Sequence, residues 1–178
     1  MIDPSRTVAD LVLEHPARAR VFEELGVDFI DTADSYGPTV SEELIAKALH
    51  PYPADLVIAT KAGLTRTGPG QWHSLGFPEY LKQQCELSLR RLRLEQIPLF
   101  QLHRIDRRLP VADQLGALVD LQREGKIGQI GISEVTVDQL RAAQQVTAIS
   151  TVQNLYNLTN RAAEPLLDVC QAEGIGFI

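Results

Sequence analysis

Six short, unbroken apolar runs recur along the chain: Val27–Asp31, Leu56–Thr60, Ile97–Leu102, Ile127–Ile132, Ile149–Gln153 and Ile175–Ile178. They are rich in Ile, Val, Leu and Phe and do not alternate with polar residues. A strand with one wet face must alternate, whereas a strand of a parallel sheet covered by helices on both faces need not. The segments between the runs carry helical spacing. Thr39 and Glu42 have the spacing of a capping box ahead of Leu44, Ile45 and Ala48. Pro78 is suited to a first helical turn, after which Leu81, Cys85, Leu89 and Leu92 share one face. Val111–Arg123, Val137–Gln145 and Ala162–Ala172 read as three more helices, the first followed by Gly125 and the last by Gly174. Strand and helix alternate throughout, which predicts an α/β fold with right-handed crossovers.

Two stretches break that rhythm. Ala62–Phe77, with Gly63, Gly68, Pro69, Gly70, Trp72 and Gly76, reads as a long loop, and such loops usually serve function. At the start of the chain, Thr7 caps a short helix through Leu13, and Pro16 opens a second, Ala17–Leu25, that ends at Gly26. Val21, Phe22 and Leu25 form its apolar face, and no strand precedes it. The expected organisation is therefore a helical N-terminal segment, 1–25, and an α/β unit, 26–178.

The 178 residues are enough for one domain with a substantial core. A net charge of −6 and the lack of a Lys/Arg stripe argue against nucleic acid and anionic membranes as partners. The start MIDPSRTVAD has no apolar signal-peptide region, and no apolar run reaches membrane-spanning length. Cys85 and Cys170 both fall within apolar helical patterns and read as buried free thiols, which fits a cytoplasmic protein. No Cys/His spacing suggests a metal site.

Asp31, Tyr36, Lys61 and His103 each sit at or just past the C-terminal end of an apolar run. In a parallel sheet those ends lie on one face, where α/β enzymes keep their chemistry. A carboxylate, a phenol, an ammonium and an imidazole gathered there suit proton delivery to a carbonyl oxygen. Tyr36 is the candidate general acid, and Lys61, anchored by Asp31, is expected to lower its pKa. His103 would orient the carbonyl oxygen. Taken singly, each has an ordinary alternative: turn packing for Tyr36, a solvated strand end for Lys61, a loop cap for Asp31, a satisfied core imidazole for His103. Together, at equivalent strand ends, they favour the chemical reading. His15 and His50, each before a proline, read as structural or solvated, and His73 lies beside Trp72 in the long loop.

The motifs around these residues resemble those of the aldo-keto reductases. GVDFIDTADSYGP (26–38) is similar to the strand-two motif of that family, with Asp and Tyr five residues apart. VIATKAG (57–63) resembles the strand bearing its Lys, and LFQLHRID (99–106) the strand bearing its His. GKIGQIGIS (125–133) and STVQNLYN (150–157) resemble the next two strands. The resemblance implies an NADPH-dependent oxidoreductase acting on a small-molecule aldehyde or ketone, with Asp31, Tyr36, Lys61 and His103 as the catalytic set. It implies nicotinamide contacts at Asp31, Ser133 and Gln153, with Asn154 either adding one or satisfying a strand end, and offers Trp72 as a substrate-pocket wall or mere core cover. Many relatives carry Asn after the Ser; Glu134 stands there in this chain. There is no GxGxxG fingerprint, which argues against a Rossmann dehydrogenase but not against this family.

The family fold is an eight-stranded (β/α) barrel. Matched strand by strand, the chain holds strands two to seven, an incomplete TIM-type barrel. The family's residues that stack on the nicotinamide and clamp the adenosine phosphate would lie past Ile178, so the resemblance implies weak cofactor holding. It leaves as an alternative a catalytically silent, truncated or chimeric α/β domain that keeps the four residues. The stretch TVADLVLEHPARARVFEELGVDF (7–29) resembles the N-terminal helical domain of iron–sulfur cluster repair proteins, without its Cys pair, as in a chimera. The alternative is that Ala17–Leu25 is simply the helix before strand two. An open barrel is further expected to expose apolar interior surface and to self-associate through the edges Val27–Asp31 and Ile175–Ile178.

Overall fold

A computed structural model describes residues 26–178. In order, the elements are β1 (Phe29–Asp31), α1 (Val40–Leu49), β2 (Val57–Ala62), β3 (Leu64–Gly68), β4 (Gln71–Ser74) and α2 (Pro78–Leu92). Then come β5 (Ile97–Leu102), α3 (Val111–Arg123), β6 (Ile127–Ser133), α4 (Val137–Gln144), β7 (Thr151–Gln153), α5 (Glu164–Glu173) and β8 (Gly176–Phe177). The six apolar runs supply the strands of one sheet in the order β1-β2-β5-β6-β7-β8, every neighbour parallel. The helical N-terminal segment expected over 1–25 lies outside the described residues.

The sheet curls into part of a barrel. Gln153 Nε2, at the end of β7, donates to Asp31 Oδ2 on β1 at 2.9 Å. These strands are separated in the sheet by β2, β5 and β6, so the bond spans the concave side. Strand periodicity then sorts the residues. Phe100, Leu102, Ile130, Ile132 and Val152 face outward and are buried against Leu81, Cys85, Leu115, Leu118, Leu140, Leu166 and Cys170 of the helices. Each fully buried aliphatic side chain of this kind contributes roughly 1.5–3 kcal/mol. The concave side instead carries the register row Lys61, Gln101, Gly131, Thr151 and Gly176. The row is polar or small because the Asp31–Lys61 pair and its amide partners occupy it, and the row before it on the same face carries Ala59 and Leu99.

The helix ends follow local chemistry. Pro78 stands in the first turn of α2, and Gly174 ends α5 in the left-handed region at φ 68°. One expectation fails here. Thr39 does not form a capping box, since no side-chain cap bond is made and its φ is 75°. Glu42 is drawn inward instead, accepting from Thr60 Oγ1 at 2.6 Å and from Arg91 Nε at 2.5 Å. That buried ion pair ties α1 to β2 and α2. Among the described residues a capping box does form between Thr136 and Gln139 at the start of α4.

The second correction concerns Ala62–Phe77, which is not an irregular loop. It holds the antiparallel hairpin β3–β4, turned at Pro69-Gly70 with a bulge between Arg66 and Gly68. Its residues are mostly exposed and lack apolar alternation, which hides strands from a pattern reading. Cys85 and Cys170 are free and buried, as expected. Among the described residues, no helix is long and apolar enough to cross a membrane.

Candidate active site

Parallel pairing brings the carboxyl ends of β1, β2, β5, β6 and β7 to one rim, and that rim carries Asp31, Lys61, His103, Ser133 and Gln153. Asp31 is its hub. Its carboxylate accepts from Lys61 Nζ at 2.5 Å, from Gln101 Nε2 at 2.9 Å and from Gln153 Nε2 at 2.9 Å. One side chain thus joins four strands. Lys61 is 1 % exposed and also donates to the Thr32 carbonyl at 2.8 Å. Burial pulls its pKa below the usual lysine value, opposed chiefly by the Asp31 charge.

Beyond β1 the backbone keeps pairing with β2, with Thr32 N donating to Ala59 O at 2.9 Å and Asp34 N to Lys61 O at 3.1 Å. A turn follows in which Tyr36 N donates to Ala33 O. This swings the Tyr36 ring over the rim, edge-on to His103 with centroids 5.6 Å apart and 5.2 Å from Lys61 Nζ. Among the described residues the Tyr36 hydroxyl has no hydrogen-bond partner. Burial, then the Asp31 charge, raises its pKa above the ordinary phenol value, with only Arg104 acting downward. The expected lowering by Lys61 is absent, because Asp31 matches the ammonium at 2.5 Å and Nζ lies beneath the ring. A phenol kept protonated is suited to giving a proton.

His103 is 3 % exposed. Burial first, then the Lys61 and Arg104 charges, push its pKa down to about 3, so the imidazole is neutral near pH 7. Its Nδ1 lies 3.5 Å from Ser35 Oγ, at the outer limit of a hydrogen bond. In the tautomer in which Nδ1 accepts from Ser35, the proton sits on Nε2 and is free to be donated.

Two clefts flank this group. One, about 370 Å³, is lined by Tyr36, Leu64, Trp72, His103 and Arg104. The other, about 350 Å³, also touches Tyr36, His103 and Arg104 and continues past Ser133, Gln153 and Asn154. Trp72 on β4 is 40 % exposed, with the Arg66 guanidinium 5.1 Å from its ring. The hairpin is anchored near the site by Gly76 N donating to Asp106 Oδ2 and by Arg108 Nη2 donating to Ser74 O. Asn154 lines the second cleft, but its amide is engaged at both ends by the Val135 backbone, at 3.1 and 3.0 Å. Glu134, left-handed at φ 53°, directs its carboxylate to Leu155 N. His50 and His73 are exposed and line neither cleft.

Sequence reading passed over several groups here. Gln101 is a polar residue inside an apolar run, and the period of two placing it with His103 was the available signal. Arg104 directly follows His103; its Nη1 donates to the His103 carbonyl at 2.6 Å and to Ser133 Oγ at 3.1 Å. Asp34, 5 % exposed, receives the Tyr80 hydroxyl at 3.4 Å, while its Oδ1 is buried without a partner. Burial, then the Glu42 charge, lifts its pKa to about 7.

Comparison with known proteins gives the family and the fold. The profile described as "Aldo/keto reductase family" matches residues 14–178. An uncharacterized oxidoreductase of Schizosaccharomyces pombe, C215.11c, is 52% identical over 155 residues, covering 87% of this chain and 50% of that protein. The glycerol dehydrogenase AKR11B4 of Gluconobacter oxydans superposes with a TM-score of 0.86 at 29% identity, over 97% of this chain and 54% of its own. An aldo-keto reductase of Klebsiella pneumoniae in complex with NADPH gives 0.76 at 28% identity, over 92% and 56%. The chain thus spans about half the length of the relatives it matches. With its curled parallel sheet and a family match over most of its length, the chain belongs to the aldo/keto reductase family.

Proposed function

We propose that this chain reduces an aldehyde or ketone with NADP(H), using Tyr36 as the proton donor. The observation that carries the reading is the Tyr36 phenol, without a hydrogen-bond partner among the described residues, set between the His103 imidazole and the Asp31-paired Lys61 at one strand-end rim. The residues present also suit a nicotinamide carboxamide, which needs one donor for its oxygen and one acceptor for its NH₂. Gln153 spends its NH₂ on Asp31, leaving its own carbonyl oxygen as an acceptor. Ser133 Oγ accepts from Arg104 and keeps its own proton to donate. When bound, such a cofactor supplies hydride to the carbonyl carbon.

The chain's own part is orientation and proton transfer. The neutral His103 holds the carbonyl oxygen by donation from Nε2, and Tyr36 Oη gives it a proton as negative charge develops there. Lys61, fixed by Asp31 and Thr32, lies 5.2 Å from the Tyr36 ring centroid, and the charge that eases release of the Tyr36 proton is the Arg104 guanidinium. Trp72 and Leu64 line the substrate cleft and give it an apolar wall. A cytoplasmic setting accompanies this reading, supported by the two unpaired thiols.

The test is NADPH consumption with a panel of aldehydes and ketones, alongside a titration of NADPH fluorescence on the purified chain. Tyr36→Phe deletes only the hydroxyl and is expected to lower kcat by on the order of a hundredfold or more with little change in NADPH binding. Unchanged turnover in Tyr36→Phe would remove Tyr36 from the chemistry. Absence of both NADPH binding and turnover in the chain itself would leave a silent domain that keeps the residues.

A further inference from the structure

We infer that Arg104 forms an anion subsite beside the reacting carbonyl, so that the preferred substrates are aldehydes or ketones bearing a carboxylate or similar anionic group. The inference rests on the reductase reading above for the nature of the substrate, and on the geometry around Arg104 for the anion.

Three observations carry it. Arg104 is the one cation shared by both clefts, and it stands with Tyr36 and His103 where the two meet. Its guanidinium is fixed from one side: Nη1 is committed to the His103 carbonyl and to Ser133 Oγ, which aims the planar group without neutralising it. Among the described residues no Asp or Glu lies within ion-pair distance of it; Arg66, Arg90, Arg93 and Arg107 also lack a carboxylate partner, but none of them lies in both clefts.

The cleft lined by Trp72 and Leu64 has no carboxylate in its wall. The Lys61 ammonium is already matched by Asp31 and His103 is neutral; Glu134 lines the second cleft with Arg104 but makes no ion pair with it, its carboxylate accepting from Leu155 N, so the cleft with Trp72 and Leu64 has Arg104 as its one charged wall. A fixed guanidinium with free N–H donors at the wall of a half-enclosed cleft is the arrangement that selects planar carboxylates. The cleft with Trp72 and Leu64 adds an apolar and aromatic wall, which suits a carbonyl compound whose body is apolar and whose charge lies close to the carbonyl. A charge-assisted hydrogen bond of this kind is worth on the order of tenfold to a hundredfold in affinity.

Trp72 is the only tryptophan in the chain and lines that cleft, so its fluorescence reports occupancy without turnover. The probes are 4-formylbenzoate and its near-isosteric neutral partner 4-formylbenzamide. The chain is expected to bind the carboxylate on the order of tenfold or more tightly, with the preference shrinking as ionic strength rises. Arg104→Gln is expected to abolish the preference and Arg104→Lys to keep part of it, and the ratio of kcat/KM for the two probes is expected to follow. Equal binding of both probes by the unaltered chain, or a preference surviving in Arg104→Gln, would overturn the inference. Equal loss for both probes together with weakened NADPH binding would also overturn it, by assigning Arg104 to the cofactor. A preference in Trp72 fluorescence without any reduction would keep the anion subsite and defeat the reductase reading. Reduction of both probes with equal kcat/KM would do the reverse.

Discussion

The Asp31–Lys61 pair offers the sharpest test of how this site is held. At 2.5 Å the Coulomb attraction is about 6–7 kcal/mol for an effective dielectric near 20. Most of that is offset by the cost of taking both charges out of water. What remains visible is the asymmetry: breaking a buried pair by removing one partner typically costs about 3–5 kcal/mol. Here Asp31 keeps 20 % of its side-chain exposure, and Lys61 would retain the Thr32 carbonyl. We therefore expect Asp31→Asn to destabilise the chain by about 2–4 kcal/mol near pH 7. Lys61→Met leaves Asp31 with two amide donors, Gln101 and Gln153, and is expected to cost only about 1–2 kcal/mol. The double variant has no orphaned charge, so its loss is expected to be smaller than the sum of the two by about 2 kcal/mol. Urea unfolding followed by circular dichroism measures all four corners of the cycle. The sign of the pH dependence is also fixed. In Asp31→Asn the folded-state pKa of Lys61 lies further below its unfolded value near 10.5, so the unfolded chain binds more protons between the two. The penalty is thus fully present at neutral pH and is relieved as pH rises through the folded pKa toward 10.5. Additivity within about 0.5 kcal/mol, or an Asp31→Asn penalty that does not change up to pH 10, would refute the assignment of Lys61 as a charge neutralised by Asp31.

Three further outcomes follow from the same electrostatics and from the sheet edges. His103, folded pKa about 3 against 6.5 unfolded, contributes stability that is lost as pH falls from 6.5 toward 3; Asp34, raised from 3.8 to about 7, contributes stability that is lost as pH rises from 3.8 toward 7. His103→Gln should therefore reduce the loss of stability on acidification, and Asp34→Asn should be more favourable relative to the unaltered chain at pH 8 than at pH 4, both read from melting temperatures across that range. The 178-residue chain on its own is expected to self-associate through the edge strands β1 and β8, seen as a rise in mass with concentration by light scattering; a monomer at every concentration would show that those edges are covered.

The fold was largely legible because its signal is local. Continuous apolar runs marked all six strands of the parallel sheet, and the apolar faces marked by Leu81, Cys85, Leu89 and Leu92, or by Leu115, Leu118 and Leu121, are buried on the helix side. The hairpin β3–β4 escaped because its residues are held by hydrogen bonds and by the Asp106 and Arg108 anchors rather than by burial, so no hydrophobic period exists to read. The Thr39 cap failed for a different reason. Local spacing favoured it, but Glu42 gains more from Thr60 and Arg91, which arrive from β2 and α2 and are invisible in a window of four residues.

The site divides along the same line. Strand ends told which residues would meet, since a parallel sheet sends all its carboxyl termini to one rim. They did not tell what each residue would do to its neighbour's proton. From spacing alone, a lysine near a tyrosine acidifies it. In the folded chain the carboxylate that anchors the lysine also cancels it, and burial keeps the Tyr36 proton in place. The group that does act downward on Tyr36 is Arg104, one residue past His103, which neither apolar pattern nor strand-end position had singled out. An uncompensated cation at that point has two consequences in one geometry: it eases proton release from Tyr36, and it offers a negative substrate group its counter-charge. If Arg104→Gln lowers the anionic-probe preference and also slows proton transfer to neutral probes, the two effects share one cause. If only the first changes, burial and Asp31 alone govern Tyr36, and Arg104 acts on substrate choice.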